Sequence, residues 1–347
     1  MEKVSNVSKV NSVILGIISL FFIHSKPAIP EKLSEYHFFV GDLKNLSPRE
    51  DIIPYDLNSP LFSDYASKSR FLWIPKGKQV SYNANKVLEF PEGTILIKNF
   101  FYPISESNPE LGRRIIETRL LIHESAGWKA YPYIWNLEQT DATLEITGGS
   151  IPVRFKNKKN QLIDFTYEVP NINQCKGCHE VNGTMSPIGP SVRQLNKPYS
   201  YDHQQSKNQL LELKERGFLE MSEDQFIHAP KLVDYLDKNQ ALADRAMAYL
   251  DINCAHCHNP DGPAKNSGLN LRWNNLNIGT YGFMKSPVAA GRGSGNLQFD
   301  IVPGKPNESI LYFRMNSKDP GIMMPEIGRT MVHKEGVELI RDWIREL

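Results

Sequence analysis

The chain reads as an α+β protein of several units, an N-terminal antiparallel β sandwich or barrel followed by a mainly α region. Three observations predict this. From Glu31 to about Pro170 apolar and polar residues alternate with the period of strands; beyond Pro170 the apolar spacing turns helical; and all four cysteines fall in that second part. With 347 residues, 40% of them hydrophobic, the chain has room for two or three compact units. The expected boundaries are 1–28, 31–170, 171–231 and 232–347.

The first stretch looks like a targeting segment. Lys3 and Lys9 precede an apolar run from Val13 to Ile23, after which His24, Ser25 and Lys26 restore polarity. This run is shorter than the roughly 20 apolar residues that span a bilayer. It is expected to act as a signal peptide cut near Ser25 or Ala28, or to stay as an N-terminal anchor. Export to the periplasm or another oxidising compartment follows, and no cysteine lies near enough for lipid attachment. The formal net charge of +1 gives no reason to invoke nucleic acid or a membrane surface.

Within 31–170, Phe71 alternates with Trp73 and Ile95 with Ile97, the run Ile115 to Ile122 is strand-like, and Tyr131, Tyr133 and Trp135 share one face. Pairs such as Pro75 with Gly77 and Pro91 with Gly93 punctuate these runs. Lys156, Lys158 and Lys159 read as a solvated hairpin tip, and His37 and His123 as packed or solvated residues rather than ligands. In the last unit Leu232, Val233, Leu236, Leu242, Ala246, Tyr249 and Leu250 recur at helical spacing before Cys254, and Val337, Ile340, Trp343, Ile344 and Leu347 mark an amphipathic terminal helix.

The four cysteines are used up by two copies of Cys-x-x-Cys-His, CKGCH at Cys175 to His179 and CAHCH at Cys254 to His258. That pattern is the signature of covalent haem attachment. Each thiol pair adds across the two vinyl groups of a haem, and the adjoining histidine ligates the iron. Thioredoxin-like redox chemistry or a zinc site could also use Cys-x-x-Cys pairs, but neither explains a histidine after the second cysteine both times. Two c-type haems are therefore expected, with Cys175, Cys178, Cys254 and Cys257 binding the cofactor and His179 and His258 on the metal.

For the second iron, the Pro-bounded loop GIMMPEIGR supplies Met324 as the sixth ligand, with Met323 turned elsewhere. For the first, Met185, His203, Met221 and His228 remain open, as does an empty position. The turn Ile188 to Pro190 resembles the Gly-Pro turn whose carbonyl orients the proximal imidazole.

From Tyr36 onward the chain resembles an uncharacterised family of exported dihaem c-type cytochromes with a β domain ahead of both motifs. The residues that carry this are IPYDLNSPLFSDYA from Ile53, FPEGTILIKNF from Phe90, ETRLL from Glu117, NQCKGCH from Asn173, YLDINCAHCHNPDGPA from Tyr249, PVAAGRGSG from Pro287 and MMPEIGR from Met323. The resemblance implies a cytochrome c-like region carrying both haems, the second in a class I cytochrome c-like unit, and electron transfer between donor and acceptor proteins that it does not name. A dihaem peroxidase-like enzyme, with an open site at the first haem, is the alternative. No membrane span is expected beyond the N-terminal segment.

Overall fold

In the computed structural model the described residues are 29–201, 206–288 and 290–347. The expected targeting segment and His203 lie outside them. The centre of the molecule is an antiparallel sheet of six strands, in the order β1 (Ile52–Tyr55), β2 (Ser67–Trp73), β4 (Ile95–Pro103), β5 (Arg113–Glu124), β6 (Gly127–Trp135) and β7 (Ala142–Leu144). The short β3 (Val80–Ser81) leaves this sheet to pair with a distant strand, and β8 (Gly149–Lys156) with β9 (Leu162–Val169) forms a separate hairpin. Its tip is the turn from Asn157 to Asn160, so Lys158 and Lys159 are exposed as expected.

Register explains the two faces of the sheet. Phe71, Ile97, Leu120 and Tyr131 stand opposite one another across β2, β4, β5 and β6. This face packs against Leu33, Phe38, Phe39 and Leu46 of the preceding segment. The other face carries the row Leu72, Leu96, Leu121 and Ala130 in the same register. It packs against Cys175, Val192, Leu195, Leu210 and Met221 from beyond Pro170. Farther along that face, Phe100 and Tyr102 meet Phe155 and Tyr167 of the hairpin.

The expected sandwich or barrel is thus corrected to an open sheet. Residues 29–50 that cover one face form only short 3-10 turns, so they supply no second sheet, and β1 and β7 do not meet to close a barrel. The expectation of a mainly α, cytochrome c-like region is overturned as well. After Pro170 come α1 (Ile172–Cys178), β10 (Glu180–Val181), β11 (Thr184–Met185), α2 (Val192–Leu195), β12 (Pro198–Ser200), β13 (Ser206–Asn208), α3 (Gln209–Glu215), β14 (Leu219–Glu220) and α4 (Glu223–Ile227). Then follow α5 (Leu242–Asn253), α6 (Ile278–Tyr281), α7 (Ile310–Met315) and α8 (Lys334–Glu346). Only α5 and α8 exceed seven residues among the described residues; the rest is short helices, loop and two-stranded pairs, including β14 against β3.

Why the helical pattern overreaches is visible at its start. Leu232, Val233 and Leu236 precede a turn in which the Asp237 carboxylate accepts from the Asn239 amide at 3.0 Å, and helix begins only at Leu242. A local side-chain acceptor competes with the helical ladder. Beyond that turn α5 and α8 do pack together, through Ala246, Tyr249, Leu250, Val337, Ile340 and Ile344. They come so close that a Cβ on Gly336 would lie 2.4 Å from the Tyr249 ring.

Candidate functional site

The first Cys-x-x-Cys-His motif occupies the second half of a short helix, the second begins where a longer helix ends, and the fold brings them together. The first sits on α1, whose start is fixed by Asn171: its side chain accepts from the Gln174 amide at 2.9 Å, and the Gln174 side chain accepts from the Asn171 amide at 2.9 Å. The second follows directly on α5, with Cys254 as the residue that ends the helix. The Cys257 thiol lies 3.9 Å from the Gly177 carbonyl of the first motif. Cys178, His256 and Cys257 place their donor atoms within 4.8 Å of one another.

The two motif histidines are oriented in the same way by different partners. Nδ1 of His179 lies 3.0 Å from the Ser186 carbonyl, so that nitrogen carries the proton and Nε2 is left with its lone pair. This carbonyl comes from the start of the turn rather than from Ile188 to Pro190, the stretch from which it was expected. Nδ1 of His258 lies 3.0 Å from the Ser267 hydroxyl, which itself donates to the Ala264 carbonyl at 2.7 Å. With its own hydrogen committed, that hydroxyl accepts from His258. Burial lowers His179 to about 3 and His258 to about 4, which keeps both rings neutral at ordinary pH.

The cysteines divide into an inner and an outer pair. Cys175 and Cys254 are buried, and burial pushes both thiols up, Cys254 to about 12. Cys178 and Cys257 are half-buried. A hydrogen bond with the Cys257 thiol, reinforced by His256, lowers Cys178 from the usual thiol value, and Cys257 is raised in return.

Between the sheet and the first motif lies a cavity of about 550 Å³, walled by Cys178, His179, Ile188, Pro190, Leu96, Leu121 and Ile252. Its size falls within the range of roughly 300–1,000 Å³ usual for ligand pockets. One histidine outside the motifs also lines it. His123, read from the sequence as packed or solvated, stacks on Trp128 at 4.6 Å, and its Nδ1 sits 2.9 Å from the Phe90 carbonyl, which leaves Nε2 without a hydrogen-bond partner among the described residues. Its place was hidden because the signal is the register of β5, not a local motif.

The other expected ligands are scattered. Met221 is buried in the cluster around Cys175, and Met185 packs at its edge in the β10–β11 hairpin. His228 ends α4 on the surface, its Nδ1 3.0 Å from the Asp224 carbonyl, and reaches neither motif histidine. Met323 is buried and Met324 half-buried on a loop tied down by Arg329, which donates to the Met324 carbonyl at 3.0 Å. The same loop reaches both motifs: a Cβ on Gly177 would lie 3.2 Å from Ile327, and Glu326 adds its charge near Cys257.

The chain matches no known protein family, no curated protein and no solved structure. Among the described residues no helix is long and apolar enough to cross a membrane.

Proposed function

We propose that the protein is an exported dihaem c-type cytochrome that passes single electrons between redox partner proteins. The observation that carries this is the shared geometry of the two motifs: each histidine has Nδ1 engaged, Nε2 free and a ring kept neutral by burial. A cavity beside His179 with apolar walls and buried polar atoms lacking partners, among them His256 Nδ1, fits a large planar group with polar substituents. Cys175 and Cys178 would hold one haem, Cys254 and Cys257 the other, and His179 and His258 would ligate the irons. When bound, the haems supply a one-electron couple at each iron.

The residues of the chain set the conditions for that chemistry. Ser186 and Ser267 fix the tautomer and aim each imidazole, the leucines of the sheet exclude water from one side of the cavity, and His123, which lines the same cavity, would be available as a further ligand to a metal held there. A filled shell limits ligand change as the electron comes and goes, which favours a carrier over a peroxidase. Contact between Cys257 and Gly177 puts the two attachment sites side by side, a short path for exchange between the haems.

One observation favours a second reading. Two cysteines and a histidine within 4.8 Å are also a donor set for a soft cation such as zinc. Pyridine haemochrome analysis of the purified exported protein decides between them. Two c-type haems per chain are expected; none, with zinc present instead, would reject the cytochrome. Carbon monoxide added to the reduced protein should bind neither haem, whereas rapid binding at one haem together with peroxide turnover would establish the enzyme.

A further inference from the structure

On the face of the sheet that meets the first motif, Arg70 of β2, Lys98 of β4 and Arg119 of β5 stand directly opposite one another in register. Like charges so placed repel and destabilise a sheet. Two of the three are answered within the protein. Glu117 meets Arg119 with two bonds of 2.7 and 2.8 Å, and Asp56 meets Nη1 of Arg70 at 3.0 Å. Lys98, between them, has no hydrogen bond or ion pair among the described residues; its ammonium lies 4.8 Å over the Phe100 ring. Burial and the neighbouring cations press its pKa well below the usual lysine value.

All three cations line the cavity that holds His179. Three buried donors lining the same cavity also lack partners among the described residues: Nη2 of Arg70 on β2, and Nη1 of Arg193 and Nε2 of Gln194 on α2. Each belongs to a side chain whose other end is fixed. Arg193 uses Nε on Asp251 at 2.9 Å, and Gln194 uses Oε1 to accept from the Ser59 amide at 2.9 Å. Arg70 and Gln194 are only 5% and 3% exposed, so water does not readily satisfy the remaining hydrogens. An ammonium, two half-used guanidinium groups and one amide NH2 offer donors and no acceptors.

We propose that these groups form a buried anion subsite that takes the carboxylate groups of a ligand seated in the cavity, with Lys98 and Arg70 of the sheet and Arg193 and Gln194 of α2 as its donors. Two sources share that chemistry. One is the pair of propionates on a haem attached at Cys175 and Cys178, which rests on the cytochrome reading; the other is a free small polycarboxylate, which does not.

The test is Lys98→Met in the full-length, haem-loaded protein, followed by spectroelectrochemistry and by thermal melting with and without citrate. If propionates fill the subsite, the first haem's potential falls because a nearby positive charge is lost, the second stays unchanged, Tm drops, and citrate has no effect on the wild type. The first couple is recognised as the one missing from Cys175→Ala. If a free carboxylate is the ligand, citrate raises the wild-type Tm and Lys98→Met weakens that response at least tenfold. Should Lys98→Met fail to fold, Gln194→Glu keeps the size, sets a competing carboxylate among the donors and should shift the same readouts in the same direction. A variant with a higher Tm, both potentials unchanged and no citrate response would mean mere relief of repulsion and would overturn the subsite. So would loss of a low-spin spectrum at the first haem, which would make Lys98 an iron ligand instead. Absence of covalent haem sinks the cytochrome reading alone, because the citrate titration still reads the subsite.

Discussion

The two Cys-x-x-Cys-His segments carry the same residues at the same spacing and are supported in opposite ways. His179 is aimed by a backbone carbonyl, on a seven-residue helix pressed against the cation-bearing face of a six-stranded sheet. His258 is aimed by a side-chain hydroxyl, behind a twelve-residue helix packed on the terminal helix. The first support is built from strands far away in the sequence, the second mostly from neighbours in one helix pair. The same motif thus reaches a neutral, oriented imidazole on two quite different supports.

If that contrast is right, removing one charge under the first segment should do the most damage. Glu117 is fully buried, holds Arg119 through two bonds and accepts from the Tyr167 hydroxyl at 3.1 Å. Glu117→Gln leaves Arg119 unanswered beside Lys98, and breaking such a buried pair costs about 3–5 kcal/mol. Urea unfolding should show a correspondingly lower midpoint, and a loss under 1 kcal/mol would mean that the sheet is not what holds the first segment.

Around the second segment the sensitive element is pH. His333 precedes α8, stacks on Phe62 at 4.2 Å and is lowered to about 4, chiefly by burial. The unfolded chain, with a histidine pKa of about 6.5, binds a proton over the window from there down to about 4 while the folded chain does not. Stability therefore falls as pH falls through that window, by up to about 3 kcal/mol, with no effect above it. His333→Phe should remove this part of the slope in denaturant titrations at about pH 4.5 and about pH 7. An unchanged slope would place the ring in water.

Next comes Gly336→Ala, which tests the helix pair without touching the sheet. Its methyl would meet Tyr249 at 2.4 Å, and overpacking of this kind costs about 1–3 kcal/mol. The loss should appear in thermal melting while, under the proposed dihaem reading, the absorbance of the first haem, isolated in a Cys254→Ala background, keeps its wild-type form. A neutral result would mean that α5 and α8 slide freely.

The smallest effect should come from Ser267→Ala. His258 loses its acceptor, a change of about 1 kcal/mol, and under the proposed dihaem reading only the second haem should shift its potential. Equal shifts at both haems would refute the separate supports. No side-chain substitution removes the corresponding acceptor of His179, because it is the backbone of Ser186.

The strands from Ser67 to Trp135 were legible because one face of each packs against apolar residues 29–50, which imposes strict alternation on Phe71, Ile97 and Tyr133. Sheet closure was not. Whether β1 meets β7 depends on edges that no local pattern records, and the cover of that face is a segment with no periodicity of its own. The mainly α expectation came from Leu232 to Tyr249 and from the terminal helix, two real signals at the ends of a long loop-rich stretch. Between them the short elements owe their stability to contacts with the sheet, as β14 does with β3. The motif cysteines and histidines could be named from spacing alone. His123, Lys98 and the donors around them could not, since Arg70, Lys98 and Arg119 become neighbours only through strand register.

Asp64 joins the two ends of the molecule. Its buried carboxylate accepts from the Thr330 and Met331 amides at 2.8 Å and from the Thr330 hydroxyl at 3.0 Å, just past the loop that carries Met324. Phe62 and Tyr65 beside it pack on His333. During synthesis this carboxylate is made early and its partners 266 residues later, so the bracket can close only when nearly the whole chain is present. The last hundred residues are consequently not a detachable module: cut free of Asp64, they would keep their cysteines and histidine and lose the anchor that positions the methionine loop.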